Sequence, residues 1–137
     1  FYTSEKLLGV LSRLDVLICA APYTKDTSKL FGLKHFKKMK KDSIFINVSR
    51  GKIVETNALI KNKLYLKFRG IGLDVTNPEP LPKKHKLNNL KNIIISHHSA
   101  GLSDKNRERA RELIIKNIKR FLKNKPLLNI VDKTKGY

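Results

Sequence analysis

Apolar and polar positions fall in blocks along this chain, and the blocks have the lengths of strands and helices. Ile44-Phe45-Ile46-Asn47-Val48 runs into Ser49-Arg50-Gly51, Gly70-Ile71-Gly72-Leu73 into Asp74, and Ile93-Ile94-Ile95 into Ser96-His97-His98. Runs this short, rich in Ile and Val and separated by helix-length segments, predict buried parallel strands. A further run, Leu14 to Ala20, precedes them. Ala21-Pro22-Tyr23-Thr24 stops it, because proline cannot continue a central ladder.

The intervening segments have helical spacing. Ser4 is expected to cap a short helix through Ser12. Gly32 to Met39 carries Leu33, Phe36 and Met39 on one face with lysines on the other, which also makes His35 solvent-facing. Lys40-Lys41-Asp42-Ser43 reads as a turn, and Thr56-Asn57 starts a helix to about Lys63. A Pro-rich loop spans Asn77 to Pro82. Ser103 or Asp104 caps the longest helix, which runs to about Lys123 with Ala110, Leu113, Ile114, Ile118, Phe121 and Leu122 on one stripe. Asn124-Lys125-Pro126 ends it. Alternating strands and helices predict an α/β fold built on a doubly wound parallel sheet.

In such sheets ligands bind outside the carboxyl ends of the strands. Arg50, Asp74, Glu79 and His98 all follow strand ends, so the pattern directs them to one crevice. Each has an ordinary alternative. Arg50 reads equally as a surface arginine beside a glycine turn, Asp74 as a strand-end turn residue, and Glu79 as a solvated loop residue. His98 reads as a structural histidine, with His97 a rival beside it. His97 and His98 are adjacent and no cysteine or acidic cluster joins them, which argues against a metal site.

The net charge of +19 raises the question of nucleic acid. Lysines outnumber arginines 23 to 7 and are scattered through most of the chain, and there is no Trp. Base and phosphate recognition enlists Arg forks and stacking aromatics. Eleven Asn and thirteen Ile accompany the lysines, so the excess reads as compositional drift that leaves only non-specific attraction to polyanions. A single cysteine, Cys19, fits a reducing, cytoplasmic compartment. No apolar stretch approaches the ~18 residues of a membrane span.

Taken together, the motifs resemble the D-2-hydroxyacid dehydrogenases. Those that carry the likeness are Pro22-Tyr23-Thr24, Phe36-Lys37-Lys38-Met39-Lys40, Ile46 to Gly51, Ala58-Leu59 and Gly72-Leu73-Asp74-Val75. Pro78-Glu79-Pro80-Leu81 and His98 to Gly101, with Arg107 and Asn117, keep the family's order and spacing. The likeness runs from about Leu7 to Val131, and the segment from Leu73 to Pro82 with His85 is most similar to glyoxylate/hydroxypyruvate reductases. It implies a partial Rossmann-type domain binding NAD or NADP, a small 2-oxo acid as substrate, and a homodimer. Arg50 is then expected to hold the substrate's carboxylate and carbonyl, because a guanidinium fork matches both oxygens. His98 is expected to exchange a proton with the carbonyl oxygen, with Glu79 fixing its ring. Pro22, Val48, Ser49, Asp74, His98 and Ala100 are expected on the cofactor side, Asp74 toward the nicotinamide.

Departures from the family pattern are equally specific. The G-x-G-x-x-G turn that cradles a dinucleotide pyrophosphate is absent. The expectation is therefore a fragment of a protein more than twice this length. Residues 1–102 would be the second part of the cofactor domain, and 103–137 a return helix and tail toward a substrate domain. His97 stands in place of a customary proline, Ser99 of Ile, Lys86 of proline, and Leu66 of a turn glycine that would relieve a positive φ. Asn62-Lys63 replace an Ala-Leu pair, and an unpaired buried lysine is costly, so the helix there must turn or fray. The favoured reading is a reductase. A non-catalytic remnant of the same fold and a basic nucleic-acid-associated domain stand as alternatives.

Overall fold

The computed structural model describes residues 4–136. The chain divides into two compact units, one ending at Ala100 and the other beginning at Gly101.

The first unit is built on four strands, β1 (Val16–Cys19), β2 (Ile44–Asn47), β3 (Gly70–Leu73) and β4 (Ile93–Ile95). They pair in chain order and every pair is parallel. Cys19 is opposite Asn47, Asn47 opposite Leu73 and Leu73 opposite Ile95, so the strands end nearly level. The segments that follow them therefore emerge along one edge. Helix α1 (Leu7–Val10) precedes β1, α2 (Leu33–Lys38) connects β1 to β2, α3 (Thr56–Ile60) with short 3-10 turns connects β2 to β3, and a 3-10 turn at Lys86–Asn89 lies between β3 and β4. The capping role expected of the Ser4 side chain lies outside the described residues.

One face of the sheet carries the core. Phe45, Ile71 and Leu73 are buried there with Leu11 from ahead of β1 and Phe36, Met39, Ile53 and Leu59 from the connections. Phe36 sits at its centre, edge-on to Phe45 at 5.1 Å and to Phe68 at 5.9 Å, the preferred aromatic geometry. The opposite face carries Val16, Ile18 and Ile94, and Ile94 is 76 % exposed. The strands were expected to be buried; here the alternation within each strand separates a covered face from an open one.

Two local expectations are corrected. His35 is buried, at 9 % exposure, because its Nδ1 accepts the Gly32 amide at the start of α2 and its ring stands edge-on to Phe31. Burial, and then the neighbouring Lys34 charge, hold its pKa below the ordinary imidazole value. The helix begun at Thr56 stops at Ile60, since Asn62 and Lys63 take left-handed φ of 56° and 55°. Lys63 stays exposed, as the cost of burying it requires. Leu66 is not at positive φ, so the missing glycine is answered three and four residues earlier.

The second unit is α4 (Asn106–Phe121) and its tail. Neither Ser103 nor Asp104 caps the helix by its side chain; the Asn106 amide donates to the Ser103 carbonyl. The apolar stripe forms as spaced, but Ile114, Ile118, Phe121 and Leu122 are exposed. Asn124 takes a left-handed φ of 49°, and the Lys125 amide returns to the Arg120 carbonyl, closing the helix as its sequence required. The tail is held to α4 through Asn117, which donates to the Leu128 carbonyl and accepts its amide. Among the described residues, no helix is long and apolar enough to cross a membrane.

Candidate functional site at the carboxyl edge of the sheet

Each strand delivers its candidate residues to the same edge. After β1 comes the exposed Pro22, whose carbonyl accepts the Thr27 hydroxyl at 2.7 Å. After β2, the chain turns on Asn47. Its Oδ1 accepts the Ser49 amide and hydroxyl, and its Nδ2 donates to the Arg50 carbonyl at 3.2 Å. Because the Ser49 hydroxyl proton is committed to Asn47, the Cys19 thiol 3.3 Å away is the donor to Ser49 Oγ. Val48 is half-buried and Ser49 buried, while Arg50 is exposed. Arg50 Nη1 donates to the Ser49 carbonyl at 2.7 Å, and among the described residues the guanidinium forms no ion pair.

The β3 and β4 exits meet directly. His98 Nδ1 donates to Glu79 Oε1 at 2.6 Å, and Glu79 Oε2 accepts the Thr76 amide at 3.3 Å. His97 is exposed and does not take this partner, so the geometry separates the two adjacent imidazoles. Asp74, 5 % exposed, accepts the Ser96 hydroxyl and the Ser99 amide on Oδ1 and the Ala100 amide on Oδ2. These bonds, the Ser96 hydroxyl foremost, hold its carboxyl below the usual carboxylate range.

Asp74, Glu79, Ser96, His97 and His98 line a cleft of about 560 Å³. Arg50, Pro22, Val48 and Ser49 are not among its lining residues. They belong to the same sheet edge but to its β1 and β2 side. Among the described residues, no three His, Cys, Asp or Glu side chains gather as a metal would need. An imidazole with one nitrogen fixed on a carboxylate and the other free can give and take a proton at the free nitrogen.

Four contributors were not singled out in advance. Ser96 anchors Asp74, Thr76 anchors Glu79, Asn47 shapes the Arg50 turn, and Gly51 lets that turn approach Thr76. Asn47 left a signal, being a polar residue inside an apolar run; Ser96 and Thr76 left none.

This arrangement has known counterparts. Residues 2–100 match the family model described as D-isomer specific 2-hydroxyacid dehydrogenase, NAD binding domain. The chain belongs to the D-2-hydroxyacid dehydrogenase family. Among curated members of that family, a glyoxylate reductase of Thermococcus litoralis is 38 % identical over 124 residues, 90 % of this chain and 37 % of the relative. The human glyoxylate reductase/hydroxypyruvate reductase is 35 % identical over 113 residues, 82 % of this chain and 34 % of the relative. The chain thus spans well under half the length of these curated dehydrogenases. A solved D-isomer specific 2-hydroxyacid dehydrogenase of Xanthobacter autotrophicus Py2, in complex with NADPH and MES, superposes with a TM-score of 0.88 at 31 % identity. That match covers 100 % of this chain and 56 % of the dehydrogenase.

Proposed function

We propose that this chain is the acid/base side of an NAD- or NADP-dependent reductase of small 2-oxo acids, with glyoxylate or hydroxypyruvate as substrate. The observation that carries the reading is the His98–Glu79 pair at the carboxyl edge of a parallel sheet. The relatives named as glyoxylate reductases support the substrate class. Residues 1–102 are assigned to the cofactor side, and 103–137 to a return helix and tail.

The residues at this edge fit the nicotinamide end of a dinucleotide. Pro22, Val48, Ser49 and Ala100 supply a rim of small or apolar groups and backbone, and neither nearby carboxylate is bare. Asp74 accepts three donors and Glu79 is paired. A bound nicotinamide would supply the hydride. His98 gives the proton from Nε2 to the carbonyl oxygen and takes it back in the reverse direction. Glu79 accepts Nδ1–H, fixing the tautomer and the ring orientation. Arg50 holds the substrate carboxylate through the guanidinium donors not used on Ser49.

The test is cofactor titration of the 15N-labelled chain. NADPH and NADH, each followed by glyoxylate, are expected to move the amide signals of Ser49, Arg50, His98 and Ala100. A spectrum unchanged by either cofactor overturns the reading for this chain.

A further inference from the structure

His98 has a backbone φ of 54°, in the left-handed region that is uncommon outside glycine and that histidine, like Asn and Asp, enters more readily than other residues. Such a conformation persists only where the surroundings over-determine it. Here most of the holding contacts come from one residue, Asp74. The His98 amide donates to the Asp74 carbonyl at 2.9 Å. The next two amides, Ser99 and Ala100, donate to the two oxygens of the Asp74 carboxylate, each at 2.9 Å. On the other side of His98, the Ser96 hydroxyl donates to Asp74 Oδ1 at 2.6 Å, and the Ser96 amide donates to the Leu73 carbonyl at 3.0 Å. The segment that bends through His98 is thus gripped before, at and after the bend by the end of β3.

The same β3 exit supplies Glu79, whose Oε2 is held by the Thr76 amide. The imidazole and its carboxylate are therefore placed by two arms rooted on one strand. The His98 side chain reaches Glu79 Oε1 at 2.6 Å, so a rotation of the His98 backbone out of its left-handed well would carry Nδ1 away. Asp74 itself is buried, and three of the roughly four lone-pair positions of its carboxylate are filled by the chain. One position on Oδ2 is left open, while the other three tie the carboxylate to the 96–100 segment.

We infer that Asp74, locked by Ser96, is a positioning residue: it holds the 96–100 segment so that His98 presents its ring to Glu79. The inference rests on the reading of His98 as the acid/base group, and it adds a specific role for Ser96. The role needs a hydroxyl at position 96, a group that threonine keeps and alanine lacks.

The test uses the 137-residue chain and the imidazole 15N signals of His98, which distinguish a ring whose Nδ1–H is held by a carboxylate from a freely exchanging one. Glu79→Gln sets the signature of the lost pair. Ser96→Ala and Asp74→Asn are expected to move the His98 signals to that same signature, while the buried His35 signals stay unchanged. Ser96→Thr is expected to restore the wild-type pattern. Wild-type His98 signals in Ser96→Ala with His35 intact would overturn the inference, as would a Ser96→Thr chain that behaves like alanine. If Asp74→Asn fails to fold, the Ser96 pair alone decides. The measurement needs no cofactor, so failure of the reductase reading, seen as absent NADPH shifts in the wild-type chain, remains separate from failure of the clamp.

Discussion

Gly51 rests directly on the backbone of Thr76. A Cβ at position 51 would lie 1.8 Å from the Thr76 carbonyl oxygen and 2.1 Å from its carbon. The turn that carries Arg50 is therefore packed against the loop that carries Glu79, with no side chain between them. This contact joins the β2 exit to the β3 exit and sets how far apart the guanidinium and the Glu79–His98 pair can stand.

Gly51→Ala is expected to force those two loops apart. Overpacking costs about 1–3 kcal/mol, and this site should fall at the upper end because the opposing atoms are backbone and cannot rotate away. A urea unfolding midpoint equal to that of the wild type would show that the loops are not in contact.

The Asp74 carboxyl is held below its usual value, chiefly by the Ser96 hydroxyl and then by the Ala100 amide. A depressed acid stabilises the fold above its unfolded pKa, and that contribution is lost as pH falls through the folded value. Acid should therefore release the 96–100 segment only below the ordinary carboxylate range. Ser96→Ala should raise the Asp74 pKa and move that release to higher pH. Titration of the Asp74 carboxyl carbon by NMR reads both, and an unshifted midpoint in the alanine variant would remove Ser96 as the principal cause.

His35 gives the opposite group the same sign. Its pKa lies below the ordinary imidazole value, first because burial disfavours the charged ring and second because of Lys34. The unfolded chain then takes up a proton before the folded one, so stability is complete above pH 6.5 and declines as pH drops toward the folded pKa. Melting temperatures measured from about pH 8 to about pH 5 should fall across that window. A His35→Gln chain should show a flatter profile, and an equally steep one would assign the decline elsewhere.

Lys63 is exposed and left-handed, at φ 55°. A left-handed L residue costs roughly 1–2 kcal/mol, and glycine recovers this less about 0.5–1 kcal/mol of chain entropy. Lys63→Gly should therefore stabilise the fold by about 0.5–1 kcal/mol. Destabilisation on that substitution would mean that the lysine makes a contact worth more than the strain.

Turnover separates the proposed roles in the native polypeptide. His98→Ala should lower kcat for glyoxylate reduction by about 10²–10⁴, the usual contribution of a positioned general acid, with KM little changed. Arg50→Ala should act mainly on KM, because a carboxylate contact present in both ground and transition states is uniform binding. Near-normal kcat in the histidine variant would remove the acid/base assignment.

Strand identity and the edge at which ligands would meet the sheet followed from local pattern. Short runs such as Ile93-Ile94-Ile95 can be buried in a parallel ladder, and whatever follows such runs leaves the sheet on one side. That was enough to direct Asp74, Glu79 and His98 to one cleft and Arg50 to the same edge, although Arg50 is not among the residues lining that cleft. The end of α4 at Asn124-Lys125-Pro126 was equally local, since proline and a left-handed asparagine stop a helix wherever they occur.

Other features depended on atoms distant in the chain meeting, which no spacing encodes. Pattern could not choose between His97 and His98; a left-handed turn and a carboxylate nineteen residues away did. The lysine-rich face of α2 made His35 look solvated, yet Phe31 and the Gly32 amide took the ring into the core. The three donors on Asp74 and the contact of Gly51 with Thr76 arise where loops from neighbouring strands converge. Periodicity records which face of an element is apolar, a property of successive residues. Loop conformation and convergence are set by packing across the sheet, and only the folded chain brings those partners within a hydrogen bond's length.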